Sequence, residues 1–310
     1  MKMATRDAYG AFLSTYAMDH PDIVVLDADL SKSTKTAAFQ TVCPDRFFNM
    51  GIAEQNLMGV SAGMATVGKI PFVSTFAMFA VGRALEILRN SVCYPKLNVK
   101  VCATHAGLTV GPDGASHQTV EDLALMRALP NLTVLNPADG ISAQALLAAA
   151  AQLEGPVYVR LGRASVPLCY EEQEVFAIGK AKELRAGSEA TIIATGIMVQ
   201  ESLQAAETLA KEGIEVRVLD MHTIKPIDQE AILKAAEETG AFVTVEEHSV
   251  IGGLGSAVAE VLAENFPVPM KRIGIKDVFG ESGEPEELLA AHGLTAQKIE
   301  EAVKGVLGRR

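Results

Sequence analysis

The chain has 310 residues, enough for two domains of about 150 residues each, and its 49% hydrophobic content can fill two cores. Its net charge of −11 excludes a nucleic-acid-binding protein, which needs a basic face, and its scattered lysines and arginines form no membrane-binding patch. No secretory signal, no apolar run of about 18 residues and no cysteines at metal-ligand spacing are visible. We therefore expect a cytoplasmic protein with reduced thiols at Cys43, Cys93, Cys102 and Cys169.

Short β-branched runs alternate with helical segments in the first half of the chain, which indicates a mostly parallel sheet covered by helices. The predicted strands are 23–26, 70–75, 99–104, 133–135 and 157–161. The predicted helices lie near 5–20, 53–67, 79–91, 120–128 and 141–152. Because ligands of such sheets bind beyond the carboxyl ends of the strands, the residues that follow each strand are candidates for a site.

Polar and aromatic residues follow four of these strands: Asp29 and Ser33 after the first, Phe76 and Phe79 after the second, His105 after the third and Arg163 after the last. Each has an ordinary structural interpretation when taken alone. An aspartate can cap a helix, two phenylalanines three residues apart can belong to the core, and a lone histidine can be satisfied by backbone groups. Together, they predict a polar and aromatic rim on one sheet edge.

Two further features of the first half have unusual composition. The loop 107–118 holds three glycines, a proline, Asp113 and His117, and long loops of this kind at strand ends are usually functional. Glu54 lies in the first turn of a helix whose other positions are mostly apolar or small. A first-turn carboxylate can simply complement the helix dipole, so its chemical role depends on its neighbours.

The second half repeats the alternation of strands and helices after a segment, 167–187, that has no clear period and that we interpret as the domain connection. The predicted strands are 190–195, 215–219, 242–246 and 271–275, and the predicted helices are 198–213, 228–239, 253–265 and 284–306. The glycines at 252, 253 and 255 are a weak match to a dinucleotide-binding motif, since Val258 replaces its third glycine. Close packing of helix on strand is the better interpretation.

Several motifs, in order, resemble those of transketolase. In the first half they are GIAEQN at 51–56, STFAMF at 74–79, GPDGASHQTVEDLALMR at 111–127 and NPAD at 136–139. In the second half they are TIKPID at 223–228, EEHSVIGGLG at 246–255 and FGESGEPEELL at 279–289. The resemblance covers nearly the whole chain. It implies two three-layer α/β/α domains, a pyrimidine-binding domain at 1–166 and a transketolase C-terminal-like domain at 188–310, joined by the linker 167–187.

One part of the family pattern is missing. These enzymes bind the diphosphate of thiamine diphosphate through a metal ion, in a domain that is marked by a GDG signature. The sequence of this chain contains no such motif. The resemblance therefore implies the second half of a split transketolase, whose Mg²⁺ or other divalent cation is bound by a separate N-terminal subunit. The implied assembly is a heterotetramer of two plus two chains that acts on sugar phosphates in the pentose phosphate pathway.

The resemblance also assigns roles at the cofactor. Glu54 corresponds to the family glutamate that binds N1′ of the pyrimidine, where an apolar surround favours a carboxyl that holds or shares a proton. Phe76 and Phe79 correspond to the aromatic pair that packs on the pyrimidine ring, and Asp29 to an aspartate near the thiazolium. The family often has a tyrosine where this chain has Gly82, which changes one wall of the pocket.

At the substrate, the resemblance assigns Asp113 to the hydroxyl next to the ketose carbonyl. His117 corresponds to the histidine near the developing alkoxide, where a donor stabilises charge or passes a proton. His105 and Arg163 correspond to positions that bind the sugar phosphate, with the Ser33 hydroxyl beside them, and the planar guanidinium of an arginine suits a phosphate.

Three alternatives stay open at this stage. 1-Deoxyxylulose 5-phosphate synthase shares the architecture, but the SHQTVEDLALMR segment and the pair His105 and Arg163 favour transketolase. The β subunit of a 2-oxoacid dehydrogenase is split in the same way, but its site loop differs from GPDGASHQ. A non-catalytic binding protein on this scaffold is disfavoured by the intact set of Glu54, Phe76, Asp113 and His117.

Overall fold

The computed structural model describes residues 2–309, which form two α/β domains with helices packed on both faces of a central sheet. The strands are β1 (Lys2–Ala4), β2 (Ile23–Asp27), β3 (Phe47–Asn49), β4 (Ile70–Ser74), β5 (Lys100–Ala103), β6 (Thr133–Leu135), β7 (Val157–Arg160), β8 (Ser165–Pro167), β9 (Lys182–Arg185), β10 (Ala190–Ala194), β11 (Val216–Asp220), β12 (Thr223–Lys225), β13 (Phe242–Ser249) and β14 (Met270–Ile275). The α-helices are α1 (Thr5–Ser14), α2 (Ser31–Thr34), α3 (Ala37–Val42), α4 (Glu54–Thr66), α5 (Ala77–Arg83), α6 (Leu85–Ile87), α7 (Asp122–Ala128), α8 (Gly140–Gln152), α9 (Met198–Lys211), α10 (Gln229–Thr239), α11 (Leu254–Asn265), α12 (Pro285–Ala291) and α13 (Ala296–Leu307). Short 3₁₀ helices span Ala17–Asp19, Pro44–Arg46 and Leu108–Asp113, and a π-helix spans Leu88–Cys93.

The first domain is built on a seven-stranded sheet in the order β12-β6-β7-β5-β4-β2-β3. Neighbouring strands are parallel throughout, except where β12 pairs with β6. The five strands predicted from the first half all lie in this sheet, so that prediction is confirmed. Parallel neighbours need crossover connections, and the intervening helices supply them.

The strand β2 shows why this sheet carries helices on both faces. Ile23 and Val25 point into one hydrophobic cluster, which contains residues of α1 and α8. Val24 and Leu26 point the other way, into a cluster with Leu57 of α4. Successive side chains of a strand face opposite sides, so a continuous apolar run such as β2 is buried on both.

The second domain has a five-stranded sheet in the order β14-β13-β10-β11-β9, parallel except for the edge strand β9. The four strands predicted in this half are confirmed. Ile192 of β10 packs with residues of α9 and α13, whereas its neighbour Ile193 packs with residues of α10 and α11. The domain is therefore also three layers deep.

The two domains share their hydrophobic cores. One cluster joins Phe12 of α1 to Val303 of α13, and the other joins Leu26 of β2 to Val258 of α11. The strand β12, which comes from the second half of the chain, pairs antiparallel with β6 of the first sheet. The relative position of the domains is thus set by buried apolar contacts as well as by the chain connection.

Three predicted helices differ from the structure. The helix expected at 284–306 is two helices, α12 and α13, because Gly293 adopts a left-handed φ of 71° and the Thr295 side chain then caps α13. The helix expected near 79–91 is divided into α5, α6 and the π-helix. The helix expected near 5–20 ends at Ser14 and is followed by a 3₁₀ turn.

Short strands that the sequence did not predict complete the fold. β1 pairs antiparallel with β8, β3 lies at one edge of the first sheet, and β9 lies inside the segment 167–187 that we interpreted as a connection. The domain limits 1–166 and 188–310 stay a prediction, and their outer ends, Met1 and Arg310, lie outside the described residues. No helix between residues 2 and 309 has the length and apolar character needed to cross a membrane.

Candidate active site

Five of the predicted site residues meet at one edge of the first sheet. The parallel neighbours β2, β4, β5 and β7 have their carboxyl ends at this edge, where open α/β sheets bind ligands. Glu54 begins α4, the helix after the edge strand β3. The residues that closely follow the four neighbouring strands are Asp29, Phe76, His105 and Arg163.

Aromatic side chains form the centre of the site. The rings of Phe76 and Phe79 stack with centroids 5.9 Å apart and an interplanar angle of 11°. His117, on the loop 107–118, meets Phe79 edge-on at 5.5 Å and Phe76 at 6.2 Å. The first domain therefore brings these three predicted residues into direct contact, as a flat apolar surface beside an imidazole.

Glu54 is a buried residue whose carboxyl group no residue in the described part of the chain engages. Its side chain belongs to a residue only 5% exposed, yet among residues 2–309 no hydrogen bond or ion pair involves its carboxyl group. It begins α4, where the backbone N–H groups at the helix N-terminus favour negative charge. A buried carboxyl usually has partners, so this one is available to a group supplied from outside the chain.

The imidazole of His105 is held between two residues. Arg6 Nη1 lies 3.0 Å from His105 Nε2, and a guanidinium can only donate, so Nε2 accepts. His105 Nδ1 lies 2.9 Å from Thr104 Oγ1 and carries the ring proton. Burial, with the guanidiniums of Arg6 and Arg163 nearby, lowers the pKa of His105 to about 3, so the ring is neutral. The His105 ring also stacks on the ring of Phe76, with the two centroids 3.8 Å apart.

Arg6 is a site residue that the sequence reasoning missed. Its Nη1 donates to the Ser33 carbonyl oxygen at 3.2 Å as well as contacting His105, and its Nε is buried without a partner among the described residues. With Arg163 and Lys35 also close to His105, the site holds a group of cations at one end. A single arginine in the amphipathic helix α1 carries no local signal, and only the fold places it beside Ser33.

Asp27 fixes the loop that carries Asp29 and Ser33 through hydrogen bonds. The Asp27 carboxylate is fully buried and accepts hydrogen bonds from the Leu30 N–H at 2.6 Å and from two threonine hydroxyls of the same loop. Asp29 adopts a φ of 64°, rare for a residue with a side chain, and accepts a hydrogen bond from Asn49 Nδ2 at 2.9 Å. Strained backbone of this kind is common at functional sites.

The loop 107–118 carries Asp113 and His117 to the same end of the sheet. Arg163 Nη1 donates a short hydrogen bond to the Val110 carbonyl oxygen and lies 3.7 Å from Asp113 Oδ2. Gln118 Nε2 donates back to the Leu108 carbonyl oxygen at 3.1 Å, which closes the loop on itself. Asp113 thus has an exposed side chain, and His117 a half-exposed one, on a loop whose backbone is fixed.

The space beside Gly82 is partly filled by a neighbouring methionine. The methyl carbon of Met78 lies 2.9 Å from the place where a Cβ on Gly82 would stand. Gly82 itself is exposed, so a larger side chain there would have to displace this methyl group. Met78 therefore occupies the space that a larger side chain at residue 82 would need.

Comparison with known proteins identifies the family of this chain. The family model "Transketolase, pyrimidine binding domain" matches residues 1–167, and "Transketolase, C-terminal domain" matches residues 179–299. The chain belongs to the transketolase family. A Methanocaldococcus jannaschii protein assigned as a transketolase C-terminal section is 53% identical over 95% of this chain and 93% of its own. This transketolase chain is also 45% identical to a Clostridium 6-deoxy-6-sulfo-D-fructose transketolase subunit, over 98% of this chain and 95% of the relative.

A solved structure extends the similarity to the whole fold. A protein described as "Split gene transketolase, inactive beta4 tetramer" superposes with a TM-score of 0.93 and is 58% identical, covering 99% of both chains. The two-domain arrangement seen here is therefore that of a split transketolase subunit.

The site residues of this transketolase chain fit one half of thiamine diphosphate. The unpartnered buried carboxyl of Glu54 and the stacked rings of Phe76 and Phe79 suit a nitrogen heterocycle such as the pyrimidine. In the part of the chain that the structure describes, no group of three or more His, Cys, Asp or Glu side chains could hold a metal ion.

Proposed function

We propose that the chain is one subunit of a split transketolase that moves a two-carbon ketol unit from a ketose phosphate to an aldose phosphate. The observation that carries this proposal is the position of the unpartnered Glu54 and the Phe76 and Phe79 pair at the same sheet edge as the cations Arg6 and Arg163. A heterocycle pocket next to an anion pocket suits a thiamine enzyme with phosphorylated substrates.

The cofactor contacts follow from the residues at the centre of the site. When bound, thiamine diphosphate supplies a nucleophilic carbon that carries the ketol unit between the two sugars. Glu54 would hold a proton at N1′ of the pyrimidine, Phe76 and Phe79 would pack on the ring and exclude water, and Asp29 would lie near the thiazolium. Each of these residues acts by binding, orienting or holding a proton.

Asp113 and His117 handle the reacting end of the substrate in this proposal. His117 is half-exposed and lies against the two phenylalanines, so its ring can reach the carbonyl oxygen of a bound sugar and donate or accept a proton there. Asp113 accepts the hydrogen bond of the neighbouring hydroxyl. Asp113 lies 3.7 Å from Arg163, so the residue that would bind the reacting end of the sugar is next to a residue that would bind its anionic end.

The phosphate of the sugar would bind between Arg6 and Arg163, with the Ser33 hydroxyl and the neutral His105 beside it. Because both ring nitrogens of His105 are engaged, its main effect is to orient the Arg6 guanidinium. The Clostridium relative is named for 6-deoxy-6-sulfo-D-fructose, a sugar whose sulfo group is also an anion. The shared requirement is an anionic group at the end of the sugar chain.

The remaining cofactor groups belong to a partner in this proposal. A separate N-terminal subunit would bind the diphosphate and Mg²⁺, and two copies of each chain would form a cytoplasmic heterotetramer with two sites. The 58% identical split-gene protein is described as an inactive β4 tetramer. We expect this chain, when isolated, to form a folded and inactive homo-oligomer in the same way.

Ketol transfer itself tests the function. The purified chain is mixed with a chain that carries the diphosphate-binding domain, thiamine diphosphate and Mg²⁺, and the product sugars are separated and measured. Transfer of a two-carbon unit from a ketose phosphate to an aldose phosphate is the expected result. A correctly assembled mixture that condenses pyruvate with an aldose phosphate, or that transfers nothing, would overturn the proposal.

Removing either arginine should weaken substrate binding more than it slows the reaction. Arg163→Ala and Arg6→Ala each remove a charge-assisted hydrogen bond to the anion, and the expected rise in KM for a phosphorylated sugar is about 10- to 100-fold. Steady-state kinetics of the assembled enzyme measure it. Arg89→Ala is the matched control, since the Arg89 guanidinium donates to Asn90 on the surface. An equal loss with the unphosphorylated sugar would show that these arginines do not bind the anion.

A further inference from the structure

The C-terminal domain packs directly on the beginning of the loop 107–118. Gly107 adopts a φ of 83°, and a Cβ at this position would lie 2.3 Å from the carboxyl carbon of Glu247, on β13 of the second domain. Only glycine allows such an approach, both because of its φ and because of the missing side chain. The Glu247 carboxylate therefore lies against the backbone of the loop.

Glu247 binds this backbone through a short, buried hydrogen bond. Its Oε1 accepts from the Thr109 N–H at 2.6 Å, and the residue is only 4% exposed. Hydrogen bonds to a carboxylate are about twice as strong as those between neutral groups. The beginning of the loop is thus bound to a charged group that the first domain does not contain.

Arg160 links Glu247 to the first sheet. Arg160 Nη1 lies 4.0 Å from Glu247 Oε2, and its Nη2 donates to the Glu247 carbonyl oxygen at 3.0 Å. Arg160 Nε also donates to Asp122 Oδ2 at 2.8 Å, so this buried guanidinium is shared by two carboxylates. Since Arg160 ends β7, the Glu247 carboxylate is fixed relative to the strand that leads to Arg163.

The end of the loop is also covered by the second domain. Gln118 Nε2 donates to the Glu281 carbonyl oxygen at 2.9 Å, and Ser282 Oγ lies 2.5 Å from the place of a Cβ on Gly114. The segment that carries Asp113 and His117 therefore has the C-terminal domain on both sides. Of these contacts, the one with Glu247 is made by a charged side chain, whereas those with Glu281 and Ser282 are made by neutral groups.

We propose that Glu247 is a positioning residue, through which the C-terminal domain sets the backbone of the loop that presents Asp113 and His117. The expected effect of Glu247 on turnover rests on the proposed function. The contact between Glu247 and the backbone of the loop does not depend on that function. The second domain then contributes to the site through a residue that touches neither cofactor nor substrate.

The isosteric variant Glu247→Gln separates this role from general packing. It keeps the shape of the side chain and an acceptor for the Thr109 N–H but removes the charge, so amide hydrogen exchange at Thr109 should become about tenfold faster. Exchange is measured by mass spectrometry on peptides that cover residues 107–113 of the full chain. Glu260→Gln is the matched control: Glu260 also pairs with an arginine of the first domain, Arg127 at 2.7 Å, but does not contact the loop.

Kinetics of the assembled enzyme give the second measurement. Glu247→Gln should lower kcat about tenfold or more, because small displacements of catalytic groups are costly, while the Kd for thiamine diphosphate stays within about twofold of wild type. Glu247→Asp, which keeps the charge on a side chain one methylene shorter, should also lose turnover. Unchanged exchange at Thr109, or faster exchange with unchanged kcat, would overturn the positioning role. If wild type itself lacks ketol transfer, the proposed function fails and the exchange comparison alone decides whether Glu247 braces the loop.

Discussion

Glu54→Gln in the assembled enzyme is expected to slow deuterium exchange at C2 of thiamine diphosphate by about a hundredfold or more, the usual scale for a group that holds or moves a proton. Glutamine has the same shape but cannot hold the proton at N1′. The Glu54 carboxyl is buried and has no partner within the described chain, so the substitution breaks no internal contact of residues 2–309. Nuclear magnetic resonance of the quenched cofactor measures the exchange directly.

The variant should keep the stability of wild type. The Glu54 carboxyl makes no hydrogen bond or ion pair among residues 2–309, so the glutamine variant of the isolated chain should unfold at about the same temperature as wild type. Glu86→Gln, on the exposed face of α6, is the control and should change neither property. Wild-type rates of C2 exchange in Glu54→Gln would remove this residue from the mechanism.

The sequence predicted the sheets well because their strands are buried on both faces. Runs such as the one that forms β2 are continuously apolar and β-branched, and their separation by helical segments leaves a parallel sheet as the simplest arrangement. Once the strands are parallel, their carboxyl ends share an edge. The approximate position of Asp29, Phe76 and His105 therefore follows from strand order without any knowledge of side-chain contacts.

Elements that depend on distant partners were missed. β12 has three residues, and its strand conformation comes from pairing with β6, almost ninety residues earlier in the chain. Arg6 occupies a polar position of an amphipathic helix and gains its role only because α1 lies beside Ser33 and His105. Pairings between distant segments leave no local pattern in a single sequence.

The division between α12 and α13 was predictable and was overlooked. The sequence has a glycine, Gly293, followed closely by Thr295, which is the usual order of a helix stop and a new N-cap. The contribution of the C-terminal domain was harder to see. Glu247 lies in a strand, where a charged residue suggests an exposed face, and its contact with the Thr109 N–H depends on how the two domains pack.

Partner dependence is the second large effect that the structure leads us to expect. In the function we propose, this chain holds the pyrimidine, whereas between residues 2 and 309 no group of three or more His, Cys, Asp or Glu side chains could hold a metal ion. A stacked ring and a few hydrogen bonds do not offset the cost of ordering and desolvating a charged ligand. We therefore expect the isolated chain to bind thiamine diphosphate with a Kd no tighter than about 1 mM, with or without Mg²⁺.

The exposed side of α4 is consistent with a missing neighbour. Ile52, two residues before α4, is 79% exposed, and Val67, directly after the helix, is 76% exposed. Between them Gly59 and Gly63 lie one helical turn apart on the open side of the helix, where an added Cβ would meet nothing within 4 Å. Small and apolar residues on this exposed face allow close approach of another subunit.

Calorimetric titration with thiamine diphosphate and Mg²⁺ tests this expectation. The chain alone should give no saturable heat, and addition of a chain with the diphosphate-binding domain should restore binding at about micromolar concentration together with ketol transfer. Gly59→Leu and Gly63→Leu, which fill the open face of α4, should prevent this rescue, whereas Gly305→Leu, on the exposed side of helix α13 in the second domain, serves as the control. Tight, metal-dependent binding by the chain alone would contradict the split assembly, because the diphosphate would then have its site within this chain.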